Sequence, residues 1–441
     1  MSESQDYSDL SIRRLELHQV GPFKDLVLEF PCKREEDRDR AEVHIFVGEN
    51  GTGKTTLLEA MTAFEGWYGW TEGGDGKVHH NTALDWRVER KMKLTNSKFD
   101  VSFSGPSIGK ELKEDGGTKL YNDLEDWCSG YFSNRWVDGK RNPYLFFTYQ
   151  ANRFLRTAFV KPGGQLHNSR LLVEGIRWDK EPVNNALFQW IMDCDTKAAF
   201  AQRRGAKSEA EEYERKIDKI GIAVSEIVGR MVRFAIDEKY LHVRIQLGDL
   251  LLEAETLALG LQSLIGWLAD LIYRLSQFPA GLDSRFALFL DEIDIHLHPK
   301  AQRKILPVIQ KLFPNAQIFI TTHSPFVVGS VDGAWVYKFK LDSEGYSVLD
   351  GEPRLSEDAD SYRTILEEVF DIHEQFGMEA QAKLDEFYKL RKEVLNGPTD
   401  SNWREFNQLG QELASQSDEM HNYVSLELRQ AARVLNRKLI A

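Results

Sequence analysis

A chain of 441 residues, 42% of them apolar and 11% aromatic, can bury more than one core, so two or three lobes are expected. Its net charge of −13, from 56 basic and 69 acidic residues, excludes nucleic-acid binding driven by bulk charge and leaves only local patches for any such contact. Three scattered cysteines (Cys32, Cys128, Cys194) lack disulfide or metal spacing, no apolar run is long enough to span a bilayer, and the polar start MSESQDYSDL has no leader pattern; a soluble cytoplasmic protein without membrane contact is expected.

From Ile12 to Phe30 the apolar and polar residues alternate, and Gly21-Pro22 breaks the run, which predicts a hairpin. The charged run Lys33 to Arg40 reads as a loop. A short apolar strand, Val43 to Val47, then enters Gly48-Glu49-Asn50-Gly51-Thr52-Gly53-Lys54-Thr55, and an apolar helical pattern (Leu57, Leu58, Met61) follows. Strand, glycine-rich loop and helix in this order are the context a phosphate loop requires. The glycines let the backbone approach an anion closely, and the helix N-terminus supplies partial positive charge. Lys54 adds a full charge for the β- and γ-phosphates, and Thr55 offers a hydroxyl to Mg²⁺. The candidate nucleotide-binding residues are Gly48, Glu49, Asn50, Gly51, Thr52, Gly53, Lys54, Thr55 and Thr56.

From Glu65 to Asn142 the pattern is irregular and glycine-rich, with a strand pair expected around Arg87 to Phe103 and no legible function. The basic cluster Arg87 to Lys93 is interleaved with Glu89 and reads as a solvated face. Tyr144 to Gln150 reads as a buried strand. Phe188 to Phe234 has helical periodicity with a charged middle and predicts a short lobe of two or three helices. Strands follow at Leu241 to Gln246 and Leu250 to Glu253, and the segment from Leu257 to Ser263 opens an apolar helix to Leu275.

The second motif is Phe286-Ala287-Leu288-Phe289-Leu290-Asp291-Glu292. A wholly apolar strand is buried on both faces of a parallel sheet, and its C-terminal end delivers two acids to the ligand crevice. Asp291 would hold Mg²⁺ and Glu292 would polarise an attacking water. Downstream, His296 and His298 admit either a metal pair on a strand or a loop at a subunit contact. A helix from Pro299 to Leu312 leads to the strand Ala316 to Ile320 and to Thr321-Thr322-His323-Ser324-Pro325. His323, next to a turn-fixing proline, is placed to donate to a γ-phosphate or to position the water. The sheet is expected to end near Trp335 to Leu341. The tail from Ser356 is helical and charged, with Asn396-Gly397-Pro398 between two long helices that suit an αα-hairpin for assembly.

Together ENGTGKTTLLEAM, ALFLDEIDIHLHP, ITTHSP and the opening VGPFKDLVLEF resemble the OLD- and RecF-like branch of ABC ATPases, often named AAA domains in bacterial defence loci. Size, short insertion and helical tail look most like the ATPase subunits of Septu and retron-associated anti-phage systems. The resemblance implies an α/β P-loop NTPase of the ABC/SMC-like type, a mixed-sheet core with an inserted helical lobe and a C-terminal helical hairpin. The implied organisation is 1–160 and 241–350 as the two halves of the core, 161–240 as the inserted lobe and 351–441 as the assembly and partner region. It also implies that the opening hairpin covers the adenine side, that Gln150 touches Mg²⁺ and the attacking water, and that Gly260 caps a γ-phosphate bound by a second copy. Ala258 stands where the family has serine, which implies slow turnover. The implied partners are a head-to-tail homodimer or an assembly of such dimers, and a separate HNH nuclease that supplies nucleic-acid cleavage. Two alternatives remain open: a RecF-like DNA-repair ATPase on duplex DNA, and a scaffold in which ATP is purely structural.

Overall fold

The computed structural model describes residues 11–66, 91–96, 100–104, 145–151, 155, 184–237, 242–276, 278, 280–357 and 360–437. The Arg87 end of the basic cluster, Cys128 and residues 161–183 of the expected lobe lie outside that set. The chain divides into two compact units, Met1–Phe370 and Asp371–Ala441.

The first unit begins with β1 (Ile12–Val20) and β2 (Phe23–Glu29), paired antiparallel through the Gly21-Pro22 turn. Strand β3 (Glu42–Gly48) runs into the glycine loop and α1 (Lys54–Gly66). Strands β4 (Lys91–Asn96) and β5 (Asp100–Ser104) join the hairpin in a four-stranded antiparallel sheet ordered β2-β1-β4-β5. Next come β6 (Leu145–Tyr149), α2 (Asn184–Arg203) and α3 (Lys207–Val228). A three-stranded sheet follows, of β7 (Val232–Asp237), β8 (His242–Leu247) and β9 (Leu250–Leu252). Then come α4 (Leu259–Leu275), β10 (Phe286–Leu290), α5 (Pro299–Leu312), β11 (Ala316–Thr321), α6 (Pro325–Val328), β12 (Trp335–Leu341), β13 (Ser347–Leu349), β14 (Arg354–Leu355) and α7 (Tyr362–Val369).

The core is a mixed seven-stranded sheet in the order β13-β12-β3-β11-β10-β6, with β14 also on β12. Strands β12, β3, β11, β10 and β6 are parallel, so five strand ends point the same way. The near-continuous apolar runs of β3, β10 and β11 are needed because both faces are covered. With a side-chain period of two, Val43, Ile45, Val47, Leu288, Leu290, Ile318 and Ile320 face one hydrophobic cluster with α4 and α5. Phe46, Phe289, Phe319 and Tyr337 face the other, under α1 and the opening hairpin.

Helix α4 is apolar all round, and its residues from Gly260 to Leu275 are all buried, as such a helix must be. Its two charged residues are paired: Arg274 Nε donates to Asp270 Oδ2 at 2.6 Å and Nη2 to Oδ1 at 3.0 Å. Tyr149, the last residue of β6, donates its hydroxyl to the same Oδ2 at 2.8 Å, which ties α4 to the strand end. Arg274→Ala is expected to leave an uncompensated buried carboxylate and to destabilise the first unit by roughly 3–5 kcal/mol. The unfolding midpoint in urea, with and without the substitution, checks this; an unchanged midpoint would refute it.

The helical periodicity read as far as Phe234 ends earlier, because Gly229 takes a left-handed conformation (φ +72°) and caps α3, so Val232–Asp237 forms a strand. In the second unit the tail is three helices rather than a two-helix hairpin: α8 (Met378–Asn396), α9 (Asp400–Ala414) and α10 (Asp418–Leu435). The break between α9 and α10 contains no glycine or proline, and Ser417 caps α10 by accepting from the Met420 amide. Leu384, Phe387, Phe406, Leu413, Met420 and Val424 form its core.

Candidate nucleotide site

The loop Gly48–Gly53 is shaped by contacts that no other residue type would permit at two positions. A Cβ at Gly48 (φ +149°) would stand 2.5 Å from the Phe339 carbonyl oxygen, and one at Gly53 (φ +80°) would stand 2.4 Å from Pro22 Cγ. Gly53 is thus closed over by the turn of the opening hairpin, and Gly21 of that turn sits against Thr56 in the first turn of α1. Thr52 folds the loop by donating its hydroxyl to the Glu49 carbonyl at 2.8 Å. Glu49, Asn50, Gly51 and Thr55 are exposed, and nothing lies within 4 Å of a Cβ built on Gly51 (φ +86°), which leaves an open backbone mouth.

Lys54 is buried, and its ammonium is tethered to the carbonyls of Gly48 at 2.9 Å and Glu49 at 2.8 Å. Desolvation pushes its pKa down, against the charges of Asp291 and Glu292, which favour the protonated form.

Asp291 and Glu292 follow β10. The Thr55 hydroxyl donates to Asp291 at 3.1 Å (Oδ1) and 3.0 Å (Oδ2), so the phosphate-loop threonine and the strand-end aspartate meet directly. Thr321, at the end of β11, donates its hydroxyl to Asp291 Oδ1 at 2.7 Å and accepts the Glu292 amide at 2.7 Å. Glu292 takes φ +46°, a turn that a non-glycine residue rarely adopts, and Thr321 holds it there. Gln150 follows β6 and stands, by the register Leu290↔Tyr149, at the strand end beside Asp291, whose amide donates to the Tyr149 carbonyl at 3.0 Å.

His323 is exposed between the buried residues Thr322 and Ser324. Its pKa is lowered, first by desolvation and then by the charge of Lys54, against the pull of Asp294, Glu292 and Asp291. A lowered pKa favours the neutral imidazole, whose remaining N–H can donate.

The structure therefore gathers Gly48 through Thr56, Gln150, Asp291, Glu292 and His323 at the C-terminal ends of the parallel strands. Gly260, whose expected contact is with the nucleotide of a second copy, has neighbours of its own in this chain. It opens α4, where a Cβ would stand 2.3 Å from the His296 carbonyl oxygen; close packing within this chain is reason enough for a glycine. Ala258 and Leu259 beside it are exposed. His298 caps α5 by accepting the Lys300 amide, and among the described residues no group of three or more His, Cys, Asp or Glu could hold a metal, which leaves the metal reading of His296 and His298 unsupported. Thr55 and Asp291 are hard oxygen donors in mutual reach, and this sparse set suits Mg²⁺, which is commonly bound by one or two protein oxygens together with substrate phosphates.

Sequence reasoning missed Thr321. The signal was present, since a hydroxyl two residues before His323 ends a strand adjacent to the one carrying Asp291, but the strand order needed to see it is a tertiary fact.

Residues 14–227 match the family model for an "AAA domain", and residues 206–329 match that for an "AAA domain, putative AbiEii toxin, Type IV TA system". The chain is 22% identical to "Retron Ec83 probable ATPase" of Escherichia coli, over 75% of this chain and 72% of that protein. It is 24% identical to "Septu protein PtuA" of Bacillus thuringiensis, over 72% of this chain and 73% of that one. Among solved structures it is similar to an Smc head domain with an extended coiled coil bound to the C-terminal domain of ScpA, from Pyrococcus furiosus. The identity is 12%, covering 78% of this chain and 96% of that chain, with a TM-score of 0.44.

Proposed function

We propose that this chain, an ATPase of the AAA/ABC type related to the Septu PtuA and retron ATPases, is the nucleotide-dependent subunit of a cytoplasmic anti-phage defence complex that holds and controls a separate, PtuB-like HNH nuclease. The observation that carries the reading is the node at which Thr55, Asp291, Thr321 and the Glu292 amide meet, with Lys54 and His323 beside it. Loop amides and Lys54 would bind the phosphates. Thr55 and Asp291, with Gln150 adjacent, would hold Mg²⁺, whose charge would neutralise the phosphates as the terminal bond breaks. Glu292 would polarise the water, and the neutral His323 would donate to the γ-phosphate. The exposed start of α4 would face the nucleotide of a second copy in a head-to-tail dimer, or in an assembly of such dimers. Nucleic acid would be reached through the nuclease subunit.

One observation favours a slower or structural use of ATP. Ala258 has no hydroxyl to offer at the start of α4, and a missing transition-state donor commonly costs two to three orders of magnitude, or about 3–4 kcal/mol. Light scattering of the purified chain with and without ATP·Mg²⁺, followed by turnover with and without the co-purifying nuclease, tests both readings. ATP-dependent doubling of mass is expected; a monomer indifferent to ATP would refute the dimer. Hydrolysis that rises with the nuclease favours the motor, and absence of hydrolysis in both states favours the scaffold.

A further inference from the structure

Thr321 ends β11 and Thr322 follows it, and the two threonines do different work. Thr321 serves Asp291 and Glu292, as described above. Thr322 is fully buried, its amide donates to the Phe46 carbonyl at 3.3 Å, and its hydroxyl donates to Asp294 Oδ1 at 2.5 Å. The same hydroxyl accepts the Ser324 amide at 3.0 Å, so the residues on both sides of His323 are held by one oxygen. A second link runs parallel to the first. Ser324 Oγ donates to Gln302 Oε1 at 2.8 Å, and Gln302 Nε2 donates to the Leu297 carbonyl at 2.9 Å.

The backbone around Asp294 needs such an anchor. Glu292 (φ +46°) and His296 (φ +58°) both take left-handed conformations that cost energy for residues with a side chain, so the turn persists only where its surroundings hold it. Thr321 holds its first residue and Asp294 holds its middle.

We propose that Asp294 is a positioning residue for His323 and Glu292: through the Thr322 hydroxyl its carboxylate locks the His323 loop to the turn that carries Glu292. The inference rests on the ATPase reading above. Neither Asp294 nor Thr322 touches the site formed by Lys54, Thr55 and Asp291, so the lock governs alignment of the reacting groups and leaves nucleotide binding to the loop. Asparagine at 294 keeps an oxygen that can accept from Thr322; alanine does not. Serine at 322 keeps the hydroxyl; valine does not.

The test is single-turnover ATP hydrolysis, ATP·Mg²⁺ affinity and hydrogen exchange of the 321–325 segment in the full chain, for the wild type, D294A, D294N, T322V, T322S and D294A/T322V. D294A and T322V are each expected to slow hydrolysis by roughly one to two orders of magnitude, the cost of misplacing a reacting group by an ångström, with affinity unchanged. The double variant is expected to be no slower than either single one, because the two act through one bond. D294N and T322S are expected to stay near the wild-type rate. Faster exchange at the Ser324 amide is expected in D294A and T322V whether or not hydrolysis is measurable. Wild-type exchange and wild-type hydrolysis in D294A, with ATP still bound, would overturn the proposal while leaving the ATPase reading intact. Failure of the wild type to bind ATP would instead overturn that reading, and the exchange data would then decide the lock alone.

Discussion

Lys54→Ala is expected to lower ATP·Mg²⁺ affinity by about two orders of magnitude or more, the equivalent of losing charge-assisted contacts of about 3 kcal/mol. The lysine is the one full positive charge built into the loop; the other donors there are backbone amides with partial charges only. In the protein its ammonium bonds to the carbonyls of Gly48 and Glu49, so it is already held within the loop it serves. Desolvation lowers its pKa, but Asp291 and Glu292 oppose that shift and favour the charged form. Titration calorimetry with ATP·Mg²⁺ reads the effect. A variant that binds ATP as tightly as the wild type would remove the nucleotide assignment altogether.

A different signature is expected from Glu292→Gln. Glutamine keeps the volume and leaves the Glu292 amide on Thr321 Oγ1, so the turn and the Asp291 contacts should persist. It removes the carboxylate that would take or polarise a proton, a contribution that typically amounts to 10²–10⁴-fold in rate. Hydrolysis should fall by roughly that factor, ATP affinity should hold, and any ATP-dependent dimer should last longer. Single-turnover hydrolysis together with sedimentation in ATP·Mg²⁺ separates these quantities. Turnover at the wild-type rate would mean that Glu292 is not the base, and attention would move to His323.

Local sequence was enough for the parts of this protein whose chemistry is local. The phosphate loop needs glycines, a lysine and a threonine in consecutive positions, and each supplies its property wherever the chain folds. The apolar strand Phe286–Leu290 likewise announces burial on both faces, and its terminal acids announce a crevice, because two charges at the end of such a strand need ligands. The opening hairpin and the helix Pro299–Leu312 were legible for the same reason: turn residues and periodicity act within one segment.

What the tertiary structure decided is which segments share an edge. That β11 lies between β3 and β10 is not written in any one of them, and it is this order that brings Thr321 to Asp291 and Thr322 to Asp294. The same holds for the in-chain neighbour of Gly260: the His296 carbonyl, 2.3 Å from where a Cβ would stand, is not announced by the local sequence. The third helix of the tail also escaped, since a serine cap without glycine or proline leaves periodicity almost unbroken. Residue types determine what each segment can do, because conformational freedom and charge are local properties. Long-range hydrogen bonds determine which segments do it together, because strand order exists only after the chain has folded.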